Sequence, residues 1–218
     1  MSQEFFDAIR AGDRGQVETL VAADPGLLGA KDEKGLGAYT AAMYSGRNEV
    51  ATLLLEKGVE LDVFAACLAG AKERAVELIG REPELVKAYS HDGWTPLHLA
   101  CFFGHPLLAA TLIAQGADVN ARSDNKMRNT PLHAAAAGRN LDAVRVLLEH
   151  GAEVNARQEG GWTALHAASL NGDVEMARVL IAGGADVEVR ADNQQNAWDL
   201  ALGKGHQAVV ELLDVYAR

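Results

Sequence analysis

A four-residue motif, Thr-Pro-Leu-His, recurs along this chain. It begins at Thr95 and Thr130, and the near copy Thr-Ala-Leu-His begins at Thr163, so that successive starts are 35 and 33 residues apart. Self-similarity at a period of about 20–50 residues predicts one supersecondary unit that is copied along the chain, each copy burying its apolar face against the next. The sequence therefore predicts a stacked repeat protein rather than a fold built around one central core.

The motif and its spacing resemble the ankyrin repeat, in which a β-turn is followed by two antiparallel helices. Residues 116–120 read Gly-Ala-Asp-Val-Asn, and residues 151–155 and 184–188 are close copies that resemble the ankyrin connector. The resemblance covers the whole chain and is strongest from Asp92 to Asp192. It implies an all-α, ankyrin-repeat solenoid of helix-turn-helix units with short projecting β-hairpin loops.

A glycine after the first helix of each unit sets the register of seven repeats. Glycine suits this turn because its backbone adopts left-handed angles that other residues resist. In the fifth repeat Arg139 occupies this place and Gly138 lies beside it. We predict a single ankyrin-repeat domain over residues 1–218. Its repeats cover approximately residues 2–34, 35–61, 62–92, 93–127, 128–160, 161–193 and 194–218.

One interval between the turn glycines is shorter than the others. Gly46 and Gly70 are only 24 residues apart, and from Gly58 the chain runs almost directly into the next first helix. We therefore predict that one hairpin is missing between repeats 2 and 3, which leaves a notch. An alternative function follows from this notch, namely a small-molecule-binding or catalytic site at which His91, Asp92 and Tyr44 converge.

Charge and hydropathy exclude several classes of partner. The chain has 20 Lys and Arg against 30 Asp and Glu, a net charge of −10, and no basic run. It lacks the positive footprint that phosphate binding requires, so we expect no nucleic acid and no membrane as partner. Neither a signal peptide nor an apolar run of about 18 residues is present, which predicts a cytoplasmic protein. The closing residues 212–216 resemble a capping segment, which predicts a monomer.

The residues that could carry chemistry have structural explanations. His98, His133 and His166 lie on successive repeats, about 8–10 Å apart, too far to share one zinc ion. The resemblance implies that each imidazole hydrogen-bonds within its own turn. Cys67 and Cys101 occupy equivalent positions too distant for a disulfide and are predicted to be core thiols. Because no nucleophile elbow, phosphate loop or metal motif is present, we predict no enzyme activity, cofactor or metal.

The resemblance also implies which residues bind a partner. In ankyrin proteins the concave face presents the hairpin tips, the residue before the motif threonine and the two residues before the turn glycine. We predict a non-catalytic protein–protein interaction scaffold that binds another protein through this face. The predicted partner-binding residues are Leu36, Tyr44, Leu68, His91, Asp92, Trp94, Phe102, Phe103, Met127, Asn129, Glu159, Trp162, Leu170 and Asn171.

Three aromatic residues of this set, Trp94, Phe102 and Phe103, come from one repeat. Successive side chains on a helix turn by about 100°, so at least one of the two phenylalanines should be substantially exposed. Exposed aromatic residues grouped with tryptophan dominate binding hot spots. We predict a hydrophobic recess that these three residues form with Tyr44 and Leu68. The alternative is that Phe102 and Trp94 cover apolar surface of their own repeat, without a partner.

Overall fold

The computed structural model describes residues 1–216. The chain divides into two compact units, of which the first is Met1–Ala66 and the second begins at Cys67. Within the described residues there are fourteen α-helices and three short 3₁₀ helices, with one isolated β-bridge and no longer strand. No helix in this part of the chain combines the length and the apolar character of a membrane span. The paired helices confirm the predicted all-α repeat fold.

The N-terminal unit contains two helix pairs. The first pair is α1 (Ser2–Ala11) and α2 (Arg14–Ala23), and the second is α3 (Ala38–Tyr44) and α4 (Asn48–Glu56). Helix α1 packs on α3, and α2 packs on α4, so that equivalent helices stack. The largest fully buried side chains of this unit are Phe5, Phe6, Ile9, Leu53 and Leu54.

The connection after α4 is short. Residues 24–37 separate α2 from α3, whereas only residues 57–62 separate α4 from α5 (Val63–Ala69). The carboxylate of Asp62 accepts a hydrogen bond from the Ala65 N–H at 2.8 Å and so begins α5 directly. The short connection corresponds to the short interval in the sequence, and the missing hairpin stays a prediction. Helix α5 begins in the N-terminal unit and ends in the C-terminal unit.

The C-terminal unit continues the alternation of helices. The inner helices α7, α9, α11 and α13 pack on one another in order, and the outer helices α8, α10, α12 and α14 do the same. The helices of this unit that follow α5 are α6 (Lys72–Arg81), α7 (Pro96–Phe102), α8 (Pro106–Ala114), α9 (Pro131–Ala137), α10 (Leu141–Glu149), α11 (Ala164–Leu170), α12 (Val174–Ala182), α13 (Ala197–Lys204) and α14 (Gln207–Tyr216).

The inner helices are slim because of their sequence. In α9 the buried residues Ala134, Ala135 and Ala136 carry only methyl groups, so neighbouring inner helices approach closely. Pro131 stands at the first helical position, where a backbone N–H would have no partner within the helix. Because its buried residues are small and its first residue is proline, α9 is a short, narrow helix that packs between the equivalent helices of the two neighbouring repeats.

In the turn between α9 and α10, two residues share the roles that a single glycine has in other repeats, namely close packing and a left-handed backbone. Gly104 and Gly172 have φ of 79° and 68°, and Arg139 has φ of 58° at the equivalent position, as the register predicts. A Cβ atom on Gly138 would lie 2.2 Å from the backbone oxygen of Phe102. The fifth repeat thus needs its glycine for close packing and leaves the left-handed conformation to arginine.

Four loops precede the inner helices of the C-terminal unit, at residues 90–94, 123–129, 158–162 and 191–195. In each, the N–H of the first residue donates to the carbonyl oxygen of the last, with N···O distances of 2.8, 2.8, 2.9 and 2.9 Å. These loops lie at the positions predicted for the projecting hairpins. They carry half of the residues predicted to bind a partner.

Candidate protein-binding surface

The repeated threonine and histidine side chains form an internal brace. The Nε2 atom of His98 lies 3.0 Å from the backbone oxygen of Asn129, and since a carbonyl oxygen only accepts, Nε2 must donate. The Nδ1 atom then accepts from the Thr95 hydroxyl at 2.8 Å. His133 makes the same pair of bonds, to Thr130 and to the backbone of Trp162. Each brace ties one repeat to the loop of the next.

The environment of the braces keeps the histidines neutral. Burial lowers the pKa of His98 and of His133 to about 4, and it also lowers the pKa of His166. Within residues 1–216 no group of His, Cys, Asp or Glu side chains is arranged to hold a metal ion. The hydrogen bonds confirm the structural role predicted for the three histidines.

Trp94, Phe102 and Phe103 form a continuous set of ring contacts, the aromatic cluster. The ring centroids of Trp94 and Phe102 are 5.2 Å apart with planes at 70°, and those of Phe102 and Phe103 are 5.1 Å apart at 73°. Both contacts have the edge-to-face geometry that aromatic rings favour. All three residues are half-buried. The cluster therefore combines fixed ring positions with accessible apolar surface.

The exposure of the two phenylalanines differs from the sequence prediction. We expected at least one of them to be substantially exposed, but both are half-buried. Helix α7 ends at Phe102, and the two phenylalanine rings cover part of each other in an edge-to-face contact. Both rings are therefore partly accessible to solvent, whereas the prediction was that at least one would be substantially exposed.

The side chains at the ends of successive inner helices alternate between bulky and small, beginning with the aromatic cluster. The next inner helix ends with exposed Ala137, followed by half-buried Gly138, so the side chains there are small. The helix after that ends at half-buried Leu170, followed by Asn171, and the Trp162 ring contacts the His166 ring at a tilt of 40°. Small side chains at the end of α9 therefore lie between two bulky sets at the ends of α7 and α11.

The loop residues of the predicted set are accessible. His91, Asp92 and Glu159 are exposed, and Met127 exposes 50% of its surface. The Asp92 carboxylate accepts a hydrogen bond from the Ser90 hydroxyl, which holds the tip of the first loop. These side chains can contact a partner without rearrangement of the fold.

Two residues of the predicted set lie in the interior instead. Leu68 is 1% exposed and Asn129 is 7% exposed, so neither side chain offers surface to a partner. Leu68 is a core residue of α5, and its backbone oxygen accepts from Nε2 of His105 at 3.0 Å. The predictions for Leu68 and Asn129 as surface contacts are therefore wrong, because a position within a repeat does not by itself set exposure.

Leu36 and Tyr44 belong to the N-terminal unit. Leu36 is half-buried, and its N–H donates to the Asp32 carboxylate at 2.9 Å. Tyr44 closes α3 and is 42% exposed. Both remain candidates for partner contact, and the recess that was predicted to join Tyr44 to the aromatic cluster stays a prediction.

The cysteines take no part in this surface. Cys67 and Cys101 are both buried, as predicted for core thiols. Burial raises the pKa of the Cys101 thiol, which keeps it protonated at neutral pH. A protonated, buried thiol has neither the charge nor the access that a nucleophile needs.

The sequence analysis missed a second set of braces, at the residue directly after the turn glycine. His105 and His206 donate through Nε2 to the backbone of Leu68 and of Leu170, at 3.0 and 3.1 Å. Asn140 makes an equivalent hydrogen bond to the end of α7, where its Nδ2 donates to the Cys101 backbone oxygen at 3.1 Å. A side chain with an N–H group recurs here when the repeats are aligned, so the signal was present in the sequence.

The geometry defines a class of protein, a stack of helix pairs whose polar motif residues are used internally and whose aromatic cluster keeps accessible apolar surface. The family is shown by the match of residues 63–158 and 156–216 to the ankyrin-repeat family model. The chain belongs to the ankyrin-repeat family.

Several proteins are similar in sequence to parts of this chain. Protein phosphatase 1 regulatory subunit 27 of mouse is 41% identical over 121 residues, and that of human is 38% identical over the same length. Each match covers 56% of this chain and 62% of the relative, so the chain spans about three fifths of the regulatory subunits. Human oxysterol-binding protein-related protein 1 is 50% identical over 38 residues, which cover 17% of this chain and 4% of the relative.

Proposed function

We propose that this chain is a non-catalytic scaffold that binds another protein through its concave face, with the aromatic cluster as the main anchor. One observation carries this proposal. The motif histidines are neutral and hydrogen-bonded within the fold, whereas Trp94, Phe102 and Phe103 keep accessible apolar surface in a fixed arrangement. Rigid aromatic residues of this kind supply most of the binding energy at protein interfaces.

A second candidate concerns the kind of protein that is bound. The similarity to a protein phosphatase 1 regulatory subunit supports a role as the regulatory or targeting subunit of an enzyme. The net charge of −10 favours a partner with a neutral or basic surface, because complementary potentials favour encounter. We also propose that the chain acts in the cytoplasm as a monomeric, single-domain protein.

Affinity purification from the native cell tests the proposal. The full chain should retain a specific partner, and Trp94→Ala with Phe103→Ala should lose it, since hot-spot side chains contribute about 2 kcal/mol or more each. Leu107→Ala is the matched control, because Leu107 is apolar and 78% exposed but lies on the outer helix α8. Retention of the partner by the double variant, or its loss by the control, would contradict the proposal.

The rival small-molecule function is tested separately. Thermal unfolding of the full chain would be followed with panels of metabolites and divalent metals. The scaffold proposal expects no large shift of the midpoint. A saturable shift that disappears in Asp92→Ala or Tyr44→Phe would instead establish a ligand site at the predicted notch.

A further inference from the structure

The loops of the C-terminal unit are joined by a regular pattern of backbone hydrogen bonds. In each neighbouring pair, the N–H of the second residue of the later loop donates to a carbonyl oxygen near the tip of the earlier loop. No side chain takes part, so the pattern is independent of residue type. The three bonds run from Asp124 to Gly93, from Glu159 to Met127 and from Asp192 to Gly160, with N···O distances of 2.8, 2.8 and 2.9 Å.

The first loop of the series has an unused donor. Its second residue is His91, which is equivalent to Asp124 in the next loop. Among the described residues the His91 N–H has no hydrogen-bond acceptor, and the residue is exposed. The reason is that residues 90–94 form the first loop of this series in the C-terminal unit, so no earlier loop of the unit presents a carbonyl to it.

Trp94 belongs both to the loop that carries the unpaired His91 N–H and to the aromatic cluster. The Trp94 backbone oxygen accepts the Ser90 N–H and closes the first loop, while the Trp94 ring contacts Phe102. The loop that carries the unpaired backbone donor therefore also carries one ring of the aromatic cluster. This combination fits a peptide that is bound by its backbone and anchored by a side chain.

We propose that the free edge of loop 90–94 binds an extended segment of the partner protein. A carbonyl oxygen of that segment accepts the His91 N–H, as Gly93 accepts from Asp124, and an aliphatic or aromatic side chain packs on the aromatic cluster. The segment takes the place of the loop that the short connection omits. This inference rests on the proposed function, because it names the part of the partner that is recognised.

The choice of an extended, apolar segment follows from the chemistry of the edge. One unpaired N–H beside a paired loop matches the mode in which a peptide adds to an exposed backbone edge, where backbone bonds give affinity and side-chain pockets give specificity. The three rings offer apolar faces and edges, and an apolar side chain complements them without loss of hydrogen bonds. A helix cannot supply the carbonyl in mid-segment, because its carbonyl groups are already bonded internally.

The variant His91→Pro isolates the donor. Proline has no backbone N–H, and it is favoured at the second position of a four-residue turn. Such a turn exists here, closed by the Gly93 N–H donating to the Ser90 oxygen at 2.9 Å, so the loop should keep its shape. His91→Ala removes the imidazole but keeps the N–H, which makes it the matched control.

Peptides selected from a random phage library against the full chain serve as the probe. We expect the selected peptides to share an apolar anchor and to protect the His91 amide from hydrogen exchange in the unaltered protein. Affinity should fall about fivefold to tenfold in His91→Pro, the effect of one net hydrogen bond, and by less than about twofold in His91→Ala. Trp94→Ala should weaken the same peptides.

Several results would overturn the inference. They are the selection of no peptide, equal affinity of the proline and alanine variants, and an unchanged His91 amide. Self-association that is sensitive to His91→Pro would assign the edge to a second copy of the chain and would overturn it too. Peptides that depend on Trp162 but not on His91 would refute this edge while leaving the scaffold function intact. Failure of the full chain to retain any native partner would instead count against the function.

Discussion

Acidification should destabilise this protein through its buried histidines. The pKa of His98 and His133 is about 4 in the folded state, below the ordinary value of 6.5. The unfolded chain therefore binds protons near pH 6.5, whereas the folded chain resists them until about pH 4. The stabilisation is fully present above pH 6.5 and is lost as the pH falls towards 4.

The magnitude follows from these two values. At pH 5 an unfolded histidine is almost fully protonated and a folded one mostly neutral, which costs about 2 kcal/mol for each residue. His98 and His133 together then cost about 4 kcal/mol, a large part of the roughly 5–15 kcal/mol that stabilises a typical domain. His166 acts in the same direction. Glu18 and Asp32 also have lowered pKa values, but they titrate below this window because their ordinary values are 4.5 and 3.8.

Urea unfolding followed by tryptophan fluorescence between pH 8 and pH 5 measures this effect. His98→Gln should lower the stability at pH 7, because the brace is lost, and should reduce the pH dependence by about 1 kcal/mol per pH unit near pH 5. His150→Gln is the matched comparison, since it removes an imidazole that is exposed on the surface. A free energy of unfolding that stays constant from pH 7 to pH 5, or an unchanged slope in His98→Gln, would refute the reasoning.

Three further predictions concern the turn between α9 and α10. Arg139→Gly should raise the free energy of unfolding by about 1 kcal/mol, because glycine adopts the left-handed backbone conformation of residue 139 without strain. The variant also loses the ion pair between Arg139 and Asp173, which is 3.9 Å long and contributes little to stability. A lowered thermal midpoint would contradict this prediction. Gly138→Ala should cost about 3 kcal/mol in urea unfolding, because its methyl group would meet the Phe102 oxygen, and a cost near zero would show that the turn can shift. Asn140→Ala should cost about 1–2 kcal/mol by leaving carbonyl groups unpaired, and Asn140→His should recover most of it, as judged by thermal midpoints.

The local elements were predictable because their signals lie close together in sequence. The motif threonine and the proline after it mark the start of α7 and α9, since they act within one turn of the chain. The left-handed residue at position 139 followed from the spacing alone, even though it is not glycine. These features depend on neighbours a few residues away, which the sequence displays directly.

The candidate site was predicted in part. The grouping of Trp94, Phe102 and Phe103 followed from their place in one repeat, and the structure brings their rings together. The exposure of Leu68 and of Asn129 did not follow, because burial depends on what packs against a residue from elsewhere. Periodicity gives the face of a helix and leaves open how completely that face is covered.

The amino-acid sequence by itself determined the repeat, its register, the start of the inner helices and the aromatic residues of one repeat, since each is written within a single unit of about 33 residues. Only the tertiary structure decided that His98 donates to the backbone of Asn129, that successive loops are joined, and that the His91 N–H is left over. The physical reason is that these groups belong to different repeats. Their pairing is set by how the repeats stack, and the stacking distance is a property of the folded chain.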